Sequence, residues 1–172
     1  DGSFATWVGT LITDVKQEII VIAETGREVE VITRLARVGF DGALGFLKGG
    51  FEEWIKAGKE IEIIPSVNES QLFEIMKKDN INILDVRKAS EYLSEHIVGA
   101  INIPLDFLNN NMGSIETGKS YYVHCASGYR SMIFISILQS RGYDNLINIK
   151  GGFSALKESG KNVVIDYPPI RV

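Results

Sequence analysis

The chain has 172 residues, 45% of them hydrophobic and 23% charged, with 22 acidic against 18 basic side chains and a net charge of -4. That balance describes a globular protein with room for one large or two small domains, and it leaves no basic surplus to neutralise nucleic-acid phosphates. One cysteine and two histidines rule out an internal disulfide and supply a zinc site poorly, so a reducing, cytoplasmic setting without a resident metal is expected.

In chain order, the segment DGSFATWVGTLI (Asp1 to Ile12) precedes an apolar run, IIVIA, from Ile19 to Ala23. This run and Met132 to Leu138 are far too short to span a membrane, and no basic-then-apolar leader precedes them, so no membrane association is expected. After Ala23 come a glycine-containing loop, a helical stretch, the turn Gly39-Phe40-Asp41, a short strand, and Gly49-Gly50-Phe51 opening a helix over Glu53 to Ala57.

The same order returns later in the chain. Gly142-Tyr143-Asp144 through Gly151-Gly152-Phe153 matches Gly39 through Phe51 with one residue fewer, Gly160-Lys161 falls on Gly58-Lys59, and YYVHC (Tyr121 to Cys125) stands where IIVIA stands in the first copy. The second copy also has a leading half that the first lacks. It holds a helical pattern over Glu69 to Lys78, the apolar run ending in Asp85-Val86-Arg87, a polar helix around Ala89 to Leu93, and the extended Ala100 to Pro104. Short β-branched runs alternating with helices predict an α/β fold with a parallel sheet covered by helices. A boundary near Pro65-Ser66 then separates a partial, cysteine-less repeat (residues 1–64) from a complete domain (residues 65–172). A half-repeat leaves sheet edges and apolar faces unpaired, so its ordering needs the second domain, another chain or a missing segment.

The chemistry concentrates in HCASGYRS, His124 to Ser131, which contains the single cysteine. A cysteine by itself is more often an ordinary buried thiol than a nucleophile, and it is the surrounding arginine, glycine and strand-loop-helix context that reverses this. Here it ends a predicted strand, where open α/β sheets hold their ligands. The small Ala126 and Ser127 and the permissive Gly128 allow the loop to curl so that its N–H groups face the sulfur. A helix predicted to start near Ser131 adds its positive end and Arg130 adds a cation, both favouring a nucleophilic thiolate. Tyr129 is expected at the rim. Adjacent side chains of a strand point to opposite faces, so His124 should point away from Cys125; His96 reads as a structural hydrogen-bonding residue. Asp85 and Arg87 end a strand at the same sheet edge, either as an ion pair fixing that edge or with Arg87 adding positive potential at the mouth.

These residues resemble the rhodanese-like sulfurtransferases. Cys125-Ala-Ser-Gly-Tyr-Arg130 is similar to the Cys-x-x-Gly-x-Arg loop of that family. Leu84-Asp85-Val86-Arg87, Glu91-Tyr92, His96-Ile97 and Gly99 to Pro104 resemble its leading motifs, and Lys150-Gly151-Gly152-Phe153 its closing Gly-Gly segment. Glu95 stands where glycine is common, which affects a turn. The resemblance covers residues 66 to 167 and implies that Cys125 takes a sulfur atom from thiosulfate or a persulfide and passes it to a small thiol or a protein acceptor. It implies a substrate cradle made by Ala126, Ser127, Gly128, Tyr129 and Arg130, with Arg87 nearby and Asp85 in support. Four residues separate Cys125 from Arg130, where related phosphatases and arsenate reductases have five, so a sulfur-sized cradle is expected; a non-catalytic binding module is the other alternative. The first copy has Ala23-Glu-Thr-Gly-Arg-Glu28 at the place of the loop and should be silent. The whole chain further resembles the C-terminal part of fusions between a metallo-β-lactamase fold and rhodanese repeats. That implies an upstream iron-bearing, persulfide-oxidising domain, with no cofactor in this chain; a homo-oligomer is a separate expected partner.

Overall fold

The computed structural model describes residues 4–159 and 165–166, and the chain divides into two compact units, Asp1–Glu62 and Ile63–Val172. Gly160 and Lys161 of the repeat, and Asp1 to Ser3 of the opening segment, lie outside the described residues.

The first unit runs α1 (Phe4–Leu11), β1 (Ile19–Val21), α2 (Glu28–Ala36), β2 (Ala43–Phe46) and α3 (Gly50–Lys56), with β1 and β2 pairing in parallel. Val21, Leu35 and Phe40 form its small core, against which Phe4, Val8 and Ile12 pack. Helix α2 has Glu28 and Glu30 in its first turn and Arg34 in its last, the polarity that complements a helix dipole. Two strands cover little, and apolar side chains remain in the open: Ile20 is 63% exposed and Leu44 63%.

The second unit contains β3 (Ser66–Val67), α4 (Glu69–Met76), β4 (Asn82–Asp85), α5 (Ala89–Ser94), β5 (His96–Ile97), β6 (Ile101–Asn102) and α6 (Leu108–Asn111). After these come β7 (Tyr121–His124), α7 (Tyr129–Gln139), β8 (Leu146–Ile149), α8 (Gly152–Glu158) and β9 (Ile165–Asp166). The central sheet has the order β3-β8-β7-β4-β6 and is parallel throughout; β5 and β9 form a separate antiparallel pair. Parallel strands need crossovers, and the helices that supply them cover both faces, which is why β7 is buried at Tyr121, Val123 and His124. One face packs Ile83 and Ile149 with Leu72, Phe153 and Leu156. Helix α7 buries Phe134, Ile135 and Leu138 completely. Helix α4 starts at a capping box, in which the Gln71 N–H donates to Asn68 Oδ1 and the Asn68 N–H to Gln71 Oε1, both at 2.9 Å.

The sheet order places the site. From β4 the chain leaves toward β6, and from β7 it leaves toward β8 on the other side. The C-terminal ends of these neighbouring strands therefore flank a topological switch point, where α/β sheets open a crevice.

Candidate active site

Cys125 directly follows β7 and is 1% exposed. The Gly128 N–H donates to its Sγ at 3.1 Å. Gly128 takes φ +104° to turn the chain inward, and it is also the N-cap of α7. The helix begins at Tyr129, two residues earlier than the sequence predicts, so Tyr129 and Arg130 sit in its first turn and the sulfur faces its positive end. Tyr129 is 60% exposed, at the rim. Ala126 and Gly128 are half-buried and Ser127 is exposed.

The back of the loop is fixed by the Gly-Gly segment. The Phe153 N–H donates to the Cys125 carbonyl at 2.7 Å and the Ser154 N–H to the Ala126 carbonyl at 3.0 Å. A Cβ on Gly152 would stand 2.4 Å from the Cys125 carbonyl oxygen, and its φ is +59°, so only glycine lets α8 approach this closely. The loop carbonyls are thus turned outward to α8, which leaves an amide free to turn inward to the sulfur.

Arg130 is more than a cation beside the thiol. Its Nη1 and Nη2 donate to Glu91 Oε2 and Oε1 at 2.6 and 2.8 Å. Glu91 Oε2 also accepts from the Lys88 N–H at the start of α5, at 3.1 Å. The Arg130 hydrogen bonds hold the Glu91 carboxyl below the usual carboxylate range, and the same pairing raises Arg130. The sequence reading placed Glu91 only in a motif and missed this role.

Arg87 requires a correction. It is 4% exposed, with Nε 3.0 Å from both Asp85 carboxylate oxygens, Nη2 donating to Asp85 Oδ2 at 2.6 Å and to the Glu95 carbonyl at 2.7 Å, and its guanidinium 4.0 Å over the Phe153 ring. A guanidinium so committed is an internal strut and not a substrate-binding group at the mouth; the ion-pair alternative describes it. Asp85 is fully buried and also accepts from the Arg87 N–H at 2.9 Å. Asn102 donates to the carbonyls of Asp85 and Arg87 at 2.8 and 3.0 Å, which closes the knot.

His124 is fully buried. Its Nδ1 lies 3.2 Å from the Cys125 carbonyl, which can only accept, so that nitrogen carries the hydrogen. Nε2 has no hydrogen-bond partner among the described residues and lies 3.8 Å from Asp85 Oδ2. Burial pushes the imidazole down, against the opposing pull of Asp85, and keeps it neutral. His96 stacks on Tyr92 at 3.9 Å, with Nδ1 2.8 Å from the Tyr92 carbonyl.

A polar chain behind the sulfur escaped the sequence reading. Ser131 Oγ lies 3.7 Å from Cys125 Sγ, 2.8 Å from Asn148 Oδ1 and 3.0 Å from the Gly128 carbonyl. Ser131 and Asn148 are both buried. The usable signal was periodicity: Asn148 is a polar residue inside an otherwise apolar central strand, where a partner is obligatory.

The arrangement presents one buried sulfur, a backbone donor on it, a helix N-terminus, and a paired guanidinium. Backbone donors and a helix N-terminus on a buried sulfur are groups that favour negative charge there.

The family model for the rhodanese-like domain matches residues 69–159. Among curated proteins, the thiosulfate sulfurtransferase GlpE of Shewanella oneidensis is 30% identical over 94 residues, 55% of this chain and 91% of that protein. The crystal structure of a rhodanese-related protein from Thermoplasma volcanium is 33% identical, covering 56% of this chain and 93% of its own, with a TM-score of 0.51. At 18% identity a likeness of fold alone extends over 97% of this chain and 36% of the thiosulfate sulfurtransferase from Pseudomonas aeruginosa, with a TM-score of 0.52. The chain spans about half the length of the first curated relatives it matches, 50% to 57%. Motifs, sheet order, loop geometry and family model agree: the chain belongs to the rhodanese-like domain family.

Proposed function

We propose that the chain is a sulfurtransferase working through a persulfide on Cys125. The observation that carries this reading is the Gly128 N–H on Cys125 Sγ, at the N-terminus of α7, in a loop with four residues between cysteine and arginine. The Cys125 thiolate attacks the outer sulfur of thiosulfate, the S–S bond to the sulfonate sulfur breaks, and sulfite leaves with the electron pair. An acceptor thiolate then attacks the terminal sulfur of the Cys125 persulfide and departs as its own persulfide, returning the Cys125 thiolate. A persulfide donor follows the same course with a thiolate as leaving group. The two half-reactions balance without an external oxidant or a cofactor. Having one cysteine, the chain needs an external acceptor, a small thiol or a protein.

The kinship with thiosulfate sulfurtransferases supports the class. The 1% exposure of Cys125 favours a slim terminal sulfur over a phosphate ester. A single unpaired thiol supports a cytoplasmic setting, and no helix among the described residues is long and apolar enough to cross a membrane. The resemblance of the whole chain to the C-terminal part of metallo-β-lactamase fusions supports work beside a persulfide-oxidising metal domain, which the intact mass of the native protein would test.

Incubation with thiosulfate followed by intact mass decides the main point. The expected result is the gain of one sulfur atom, lost in Cys125→Ser and removed by added thiol. No adduct with thiosulfate or any persulfide would leave a binding module, and hydrolysis of p-nitrophenyl phosphate at a comparable rate would move the site to phosphate chemistry.

A further inference from the structure

Both guanidiniums of the site are bound to carboxylates. Arg87 is locked to Asp85 inside the protein, and Arg130 is held by two hydrogen bonds to Glu91, whose side chain is 34% exposed against 15% for Arg130. Glu91 is itself fixed from behind by the Lys88 N–H. With His124 buried and neutral, these side chains sum to no net charge. What remains for an anion is the Gly128 amide and the end of α7, equivalent to about half a positive charge. That suits a sulfur group carrying one negative charge. A second negative charge finds neither guanidinium unpaired, and Arg130 carries the Glu91 carboxylate with it.

We propose that Glu91 determines donor specificity: by neutralising Arg130 at the rim, it biases the cradle against dianionic donors such as thiosulfate and toward persulfides whose reacting end carries a single charge. The donor class rests on the sulfur-transfer reading above; the charge effect does not. Glu91 touches no reacting atom and acts through Arg130.

The experiment compares Cys125 alkylation by iodoacetate, an anion, and iodoacetamide, which is neutral, read by intact mass. Glu91→Gln keeps an oxygen for Arg130 and removes the charge. The iodoacetate-to-iodoacetamide rate ratio should rise about three- to tenfold at low salt and fall back at high salt. In the sulfur-transfer assay, the KM for thiosulfate should fall relative to that for cysteine persulfide by a similar factor. Glu91→Asp should keep the ratio near wild type. A ratio that stays put, or both reagents slowing together, would make Glu91 a mere strut and overturn the proposal. Should Glu91→Gln fail to fold, the wild-type ratio against ionic strength decides: a flat profile supports neutralisation, and a steep fall with salt refutes it. If the wild type forms no persulfide with any donor while the ratio still shifts, the sulfur-transfer reading fails and the charge role of Glu91 stands.

Discussion

The two copies of the repeat share a backbone frame and differ in what fills it. In the second, the Gly128 N–H donates to Cys125 Sγ; in the first, the equivalent Gly26 N–H donates to Glu28 Oε2 at 2.8 Å, and Glu28 stands where Arg130 stands. The glycine behind each loop is under the same constraint, since a Cβ on Gly50 would stand 2.5 Å from the Ala23 carbonyl oxygen, as one on Gly152 would 2.4 Å from that of Cys125. A cavity of about 560 Å³ remains at the first loop, lined by Ala23, Glu24, Thr25, Gly50 and Glu52 among others. The first cradle is therefore present, and its amide is satisfied by the protein's own carboxylate. The frame is common to both copies; what differs in the loop are two side chains, Cys125 against Ala23 and Arg130 against Glu28.

The sharpest way to break this comparison is to move the cysteine. Cys125→Ser should lower sulfur transfer by about a thousandfold or more, and Ala23→Cys added to it should restore none, because Glu28 repels a thiolate from the first loop. A persulfide found by mass in that double variant would refute the comparison; adding Glu28→Arg should be the change that first permits it.

Next in size is the buried knot. Arg87→Met leaves the Asp85 carboxylate buried and unpaired, which should cost about 3–5 kcal/mol in denaturant unfolding. A loss below about 1 kcal/mol would mean that the Asp85–Arg87 pair is not holding the edge of the sheet.

The glycines test whether the frame is common to both copies. Gly152→Ala should cost about 2–3 kcal/mol, from a Cβ driven into backbone and a left-handed φ, and should slow persulfide formation by shifting the loop. Gly50→Ala should destabilise similarly and leave sulfur transfer alone. Equal loss of activity in both variants would contradict the division of labour between frame and side chains.

The smallest effect is in pH. His124 has its folded-state pKa depressed by burial, so the unfolded chain binds the extra proton first as pH falls below about 6.5. Stability from this group is complete above that pH and declines below it, by about 1.4 kcal/mol per pH unit at most until the folded form titrates. Thermal melts from pH 7.5 downward should show the decline, and His124→Asn should flatten it; an unchanged slope would assign the acid sensitivity elsewhere.

How far the sequence carried depends on the kind of interaction. Periodicity and the Gly-Gly turns located β7, α7, β8 and α8, because those signals are local. The repeat exposed the missing cysteine at Ala23 for the same reason. Arg87 was ambiguous because an arginine two residues after an aspartate satisfies both the ion-pair and the mouth readings equally; only its burial under Phe153 chose between them. Glu91 was legible as a motif letter but silent as a partner, since 39 residues separate it from Arg130.

The sequence by itself determined the candidate nucleophile, the loop of four residues, the α/β alternation and the lack of a cysteine in the first copy, each fixed by neighbours along the chain. The tertiary structure decided which charges reach the sulfur. Charge pairing depends on distance through space, and the folded sheet edge brings α5 to the start of α7, so that Glu91 meets Arg130 while Arg87 is spent on Asp85 inside the protein.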